Sequence, residues 1–367
     1  MKHIKILVVL FCCCSISAPA GDDDPGFVQG YSDFRNFLYV FENGIPRQLE
    51  QQAVRSFKAN GSIVGYANSA NDLIAYHKGQ KFKLGDMTAT TYNVTQSFMF
   101  YQRDKLLNVF QNGEVTQLTF FLQDMKVSDS LIAFRDGVVD ILRVYKDGKV
   151  HDLEMSLVGQ LQEYQVGENT VGYINNTGFF KAYYDNQVYD LDNVAPESFD
   201  PGGNLVAYVD GLYNYLKVFY NKKILVLEEL LPQSYKAGVD VVAYIAADNS
   251  FKVFTNGKLL KVESYIPDFY NVRDRSVVFF FNNQFQLMLD GKRHILDEFL
   301  PQDYQMSENN IAWMDVNNRL HIFTEGKSWE VTLEVIAGYQ LNGNILKYDL
   351  PDGTSRIWHK GKIFGNN

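Results

Sequence analysis

The stretch Val241-Val242-Ala243-Tyr244, followed after a short polar break by Phe251-Lys252-Val253-Phe254-Thr255-Asn256-Gly257-Lys258, decides the fold class. Both runs are short and rich in β-branched and aromatic residues, as strands require. Asn256-Gly257 supplies the positive φ that a tight hairpin turn needs. The same pair of runs returns as Leu205-Val206-Ala207-Tyr208 with Leu216-Lys217-Val218-Phe219. It returns again as Asn310-Ile311-Ala312-Trp313 with Leu320-His321-Ile322-Phe323-Thr324-Glu325-Gly326-Lys327. One supersecondary unit repeated along a chain is the mark of a repeat architecture.

Three landmarks track the unit outward from that stretch. An aromatic opens it at Phe57, Tyr92, Tyr164, Phe199, Tyr235, Tyr270, Tyr304 and Tyr339, with Met125 filling the gap. A second landmark lies nine residues later each time, from Tyr66 to Tyr348. A third follows nine to eleven residues on, from Tyr76 to Trp358, with Phe41 as an extra copy at the start. Three residues past each third landmark is a turn position, from Gly44 to Gly361, and successive turns are 35, 34, 35, 38, 36, 35, 34, 35 and 35 residues apart. Pro196, Pro232, Pro267 and Pro301 each stand three residues before an opening aromatic. There they separate one unit from the next, because proline cannot donate to a strand ladder.

The expected fold is all-β: a β-propeller of about nine to ten short four-stranded repeats, each of roughly 35 residues. The segment Phe199-Asp200-Pro201-Gly202-Gly203-Asn204-Leu205-Val206-Ala207-Tyr208 resembles the opening of WD40-like, TolB-type propeller repeats. That resemblance implies a propeller over residues 31–367 and carries no function with it. Two five-bladed propellers also fit the spacing, the longest interval, from Gly148 to Asn186, falling near the middle. An open β-repeat array is the third arrangement, although open arrays need polar caps and neither end looks like one. The first unit lacks its opening strand, so the termini share a blade or ten thin blades form the ring.

The first residues read differently. Lys2 and Lys5 precede the apolar run from Ile6 to Cys14, and Ala18-Pro19-Ala20 is a small-x-small cleavage pattern. Residues 1–20 are therefore expected to be a signal peptide, and 21–30 an acidic leader to the repeat domain. Cleavage removes Cys12, Cys13 and Cys14, the only cysteines, so the mature chain holds no disulfide. This suits a secreted or periplasmic protein of a bacterial envelope. A lipid anchor on one of the cysteines is disfavoured by the bulky Phe11 before Cys12. No later apolar run reaches the roughly 20 residues of a membrane span.

The 34 basic and 43 acidic residues give a formal charge of −9, which excludes the basic footprint of a nucleic-acid binder. Motifs for a nucleophile elbow, a phosphate loop, a dinucleotide site or a zinc protease are absent, and no cofactor or metal is expected. His77 and His359 precede Lys-Gly turns and are expected to be exposed. Asp210, Asp248, Asp315, Asp349 and Asp352 lie in the turns between second and third strands, where turn chemistry accounts for them better than calcium does.

Tyr92, Tyr164, Tyr235, Tyr270, Tyr304 and Tyr339 are the candidate ligand-binding residues, as a circle of phenols at one mouth. The competing assignment packs each of them between blades. Breaks in the repeat, at Met125, Met155 to Gln162, Met288 and the exposed-looking Phe279-Phe280-Phe281, are the other candidates. These observations point to an exported, non-catalytic module that docks a protein or glycan partner at the cell envelope. The alternative is a polysaccharide-active hydrolase or lyase with its site in the channel, marked by paired carboxylates at one mouth.

Overall fold

The computed structural model describes residues 26–88, 90–155 and 163–365. The expected signal peptide, residues 21–25 of the leader and residues 156–162 of the insertion lie outside the described residues. Strands account for the fold: ten sheets follow one another along the chain, nine of four strands and one of three. Each is an antiparallel meander, and each is one blade.

Blade 7 shows why the sequence folds this way. Its inner strand Ser234–Ala237 pairs with Val241–Ile245, that with Phe251–Thr255, and that with the outer strand Lys258–Glu263. Every residue of Val241–Ile245 is buried. A second strand lies mid-sheet with a neighbouring blade against each face, so both sides of its pleat must be apolar. The outer strand has one partner and faces solvent, hence the polar Lys258, Lys261 and Glu263. At the hairpin tips the backbone is left-handed. Glycine serves most of these tips, but Asp185-Asn186 and Asn221-Lys222 take φ of 51° and 56°, and 48° and 60°. Asn and Asp tolerate this region best, because their short side chains hydrogen-bond locally.

An apolar cluster fills each junction between blades; that of blades 8 and 9 is Val278, Phe285, Leu287, Leu296, Ile311, Trp313 and Phe323. In nine blades the outer strand also carries a bulge against the third strand, opposite dipeptides such as Leu216-Lys217 and Phe251-Lys252. A bulge adds twist and re-aims the following side chain. The extra residues are Leu227 and Val262; on the third strand opposite, Lys217 pairs with Asp192 and Asp210, and Lys252 with Glu228 at 2.6 Å.

The ring closes at blade 1, built from Val28–Ser32, Phe37–Glu42 and Ile45–Ala53. These match the second, third and outer strands of the other blades, and no opening strand for this blade stands among the described residues. Its place is closed over by the neighbours. Asn342 of blade 10 donates to the Val28 carbonyl at 2.6 Å and accepts from the Gly61 amide of blade 2 at 3.1 Å. Tyr31, Phe41, Ile345 and Ile357 form the closing cluster, with Phe364 against Phe41 at 4.9 Å. Phe27 packs on Gly343, whose φ is +55° and where a β-carbon would fall 2.3 Å from the ring. The structure thus selects one ring of ten blades over two five-bladed rings or an open array, and the termini keep separate blades.

Candidate functional site

Nine inner strands surround the axis, and all run in the same direction. In blades 2 to 10 they are Ser56–Asn60, Thr90–Val94, Leu122–Val127, Glu163–Val166, Ser198–Pro201, Ser234–Ala237, Phe269–Arg273, Asp303–Ser307 and Gly338–Asn342. The residue after the opening aromatic is polar in every one: Lys58, Asn93, Lys126, Gln165, Asp200, Lys236, Asn271, Gln305 and Gln340. Many of these side chains bond sideways to the next blade. Lys58 donates to the Tyr92 carbonyl at 3.1 Å, and Gln305 donates to the Tyr339 carbonyl while accepting from the Leu341 amide, both at 2.9 Å. Asp200 accepts from the Ala237 amide at 2.7 Å. Separate inner strands have no common ladder, so these side chains satisfy backbone groups that would otherwise be bare.

The six candidate tyrosines stand between blades, and four of them hydrogen-bond the preceding blade. The Tyr92 and Tyr235 hydroxyls bond Ser56 and Ser198 at 3.0 and 2.7 Å, and Tyr270 donates to Ser234 at 2.8 Å. Tyr164 donates to Asp124. Burial raises the pKa of all six phenols; for Tyr164 and Tyr339 the carboxylates of Asp124 and Asp303 add to it. Tyr304 also borders the channel. Second landmarks use the same device: Tyr66 bonds Glu50 at 2.7 Å, and the Trp313 indole donates to Asp297 at 3.0 Å.

The channel holds two cavities of opposite character. The larger, about 680 Å³, is lined by blades 2, 3, 8, 9 and 10. Five carboxamides face it, Asn60, Asn93, Asn271, Gln305 and Gln340, together with Phe57, Tyr304, Lys58 and Arg273 and no carboxylate. The second, about 520 Å³, carries Asp129, Glu168, Asp200 and Asp274. Asn60, Asn93, Val94 and Arg273 border both. Arg273 of blade 8 crosses to Asp129 of blade 4 at 3.3 Å, so one ion pair spans the axis where the cavities meet.

Glu168 is the most perturbed acid there. Burial, then the charges of Asp129, Asp274 and Glu308, push its pKa up to about 7. Burial likewise raises Asp274 and Asp200, against the pull of Arg273 on the first and of the Ala237 amide and Lys236 on the second. Among the described residues no group of three or more His, Cys, Asp or Glu side chains is placed to hold a metal ion.

Ten sheets closed around one axis decide the family. Residues 25–364 match the 10-bladed beta propeller domain. The chain belongs to that family. As a β-propeller it is a binding or scaffold module in architecture. No curated protein matches it. Solved structures similar to it include a eukaryotic initiation factor, 11% identical, covering 93% of this chain and 96% of that one with a TM-score of 0.42. The computationally designed Ika8 protein is 14% identical, covering 84% and 97% with a TM-score of 0.36. The CRINKLY WD40 ectodomain of the Arabidopsis thaliana receptor kinase ACR4 is 9% identical, covering 65% and 94% with a TM-score of 0.31.

The ten-bladed propeller corrects several expectations. His77 is buried, its Nδ1 within 3.3 Å of the Ser62 hydroxyl, and His359 packs on Phe41 at 5.7 Å. Burial lowers both imidazole pKa values. They sit on third strands just before the turn, where the next-blade junction covers them. The run at 279–281 is not exposed: Phe279 is fully buried, and Phe280 and Phe281 pack on neighbouring clusters. Met288 lies in the same core as Phe279. The aspartates named above act as turn residues: Asp210 accepts from the Leu212, Tyr213 and Tyr215 amides, and Asp315 from those of Asn317 and Arg319.

The channel-lining charges were missed by sequence reasoning, although a signal exists. Asp129, Glu168, Asp274 and Glu308 all stand four residues after an opening residue, a position held by glycine, glutamine or valine in the other repeats.

Proposed function

We propose that this ten-bladed propeller is an exported, non-catalytic binding module that holds a glycan of the cell envelope in the larger channel cavity. The observation that carries the reading is the lining of that cavity: five carboxamides, two rings and two cations, with no carboxylate. Carboxamides pair donor and acceptor with adjacent hydroxyls, and aromatic faces cover the apolar side of a sugar. Lys58 and Arg273 add affinity for acidic sugars. A volume of about 680 Å³ fits a short oligosaccharide within the usual range of ligand pockets. Export rests on the cleavage pattern at Ala18-Pro19-Ala20. The test is a panel of neutral and acidic envelope oligosaccharides screened for retention by the protein, with products followed by chromatography. Retention without cleavage is the expected result; failure to retain any glycan overturns the reading.

One observation favours an enzyme as the second reading. Glu168, its pKa pushed up to about 7, shares the channel with Asp129, which Arg273 holds at 3.3 Å, so two carboxyl groups stand at one mouth. Polysaccharide turnover abolished by Glu168→Gln, with binding retained, would establish it.

A further inference from the structure

The up-and-down course of every blade gives the disc two unlike faces. One, the turn face, bears the inner-to-second and third-to-outer hairpin tips. The other, the loop face, bears the second-to-third turns and the longer loops from each outer strand to the next inner strand. Of the 29 exposed large apolar side chains among the described residues, 18 stand in loops of the loop face and 11 on outer strands. None stands at a tip of the turn face.

The loop-face residues follow a rule. The loops 229–233, 264–268 and 298–302 each present an apolar pair followed by proline. Leu230, Tyr265 and Phe299 of these loops, and Leu333 in the next, are 61, 71, 56 and 68% exposed. Packing does not need them: the junctions between blades are filled by other residues. With their loop neighbours Leu231, Ile266, Leu300 and Val335 they leave exposed apolar side chains on one face of successive blades. Exposed apolar side chains gathered on one face mark an interaction site.

Charge identifies the occupant. Each of these loops carries one acid, Glu229, Asp268, Glu298 and Glu334, and none carries Lys, Arg or His; Glu334 is paired with Arg356 at 2.8 Å, so Glu229, Asp268 and Glu298 set the charge of the loops. A second copy would set acid against acid, and an anionic membrane is repelled for the same reason. We infer that the loop face over blades 6 to 10 docks a protein segment that presents apolar side chains flanked by lysine and arginine. This surface lies outside the channel cavity and stands independently of any glycan bound there.

The test measures binding of two synthetic 18-residue peptides, one an amphipathic helix of Leu and Lys, the other a Lys-rich peptide of equal charge without Leu. The protein is compared with its L230S/Y265S/F299S and E229Q/D268N/E298Q variants. These side chains are exposed, so both variants should keep the wild-type melting temperature. The amphipathic peptide should bind at least tenfold more tightly than the Lys-rich one, and each variant should lose at least tenfold. Equal binding of both peptides, or variants that bind like wild type, would overturn the inference. So would a protein dimer by light scattering that L230S/Y265S/F299S dissociates, or binding to phosphatidylcholine vesicles abolished by it, since the face then serves a second copy or lipid.

Discussion

Tyr235 shows how a tyrosine that opens an inner strand serves the junction between two blades. Its ring is covered by the preceding blade and its hydroxyl reaches Ser198 at 2.7 Å. Tyr235→Phe should cost about 1 kcal/mol by urea denaturation, the net worth of a hydrogen bond, whereas Tyr235→Ala should cost about 3–5 kcal/mol through the cavity left behind. Glu168 works in the opposite direction. Its folded pKa, near 7, lies above the unfolded value, so the folded state binds more protons between about pH 4.5 and 7 and stability falls as pH rises. Glu168→Gln should therefore stabilise the protein by on the order of 1–3 kcal/mol at pH 8 and change nothing at pH 4, read from denaturation midpoints. The aromatic positions were legible in the sequence because eight of the nine opening residues are aromatic, Met125 standing at the ninth. Glu168 was not, because its pKa follows first from burial in the closed ring and then from acids on three other blades.

At the scale of the element, the inner strand carries both the architecture and the site. Alternation sends the opening aromatic into the junction and the next, polar residue sideways to the following blade. Gln305 makes two such bonds to blade 10. Gln305→Leu should cost about 2 kcal/mol, because the Leu341 amide and the Tyr339 carbonyl lose their partner together. A strand's existence and type follow from β-branched runs between turn residues, and those were readable throughout. The bulges were not: the extra outer-strand residue Leu227 opposite Leu216-Lys217 leaves no mark in the sequence pattern. His77 was misjudged for a related reason, since its place before a turn says nothing of the blade that covers it.

For the whole molecule, closure is the junction that no loop ties. Blades 1 and 10 meet through Phe41, Tyr31, Ile345, Ile357 and the bonds of Asn342. Phe41→Ala should cost about 3–5 kcal/mol and raise hydrogen exchange first in blades 1 and 10, ahead of blade 6 on the far side of the ring. Ten turn positions were countable in the sequence, but a count does not distinguish one ring from two. That distinction lies in Asn342 bridging Val28 and Gly61 across some 280 to 310 residues of chain. Closure also brings blades 8, 9 and 10 beside blades 2 and 3 and so creates the carboxamide-lined cavity. The central claim, that this cavity binds glycan, is tested most directly by calorimetric titration of the best-retained oligosaccharide into wild type and N271A/R273A. The account predicts at least a tenfold loss of affinity, measured at a temperature where both proteins are fully folded. Equal affinity in the two proteins would contradict it.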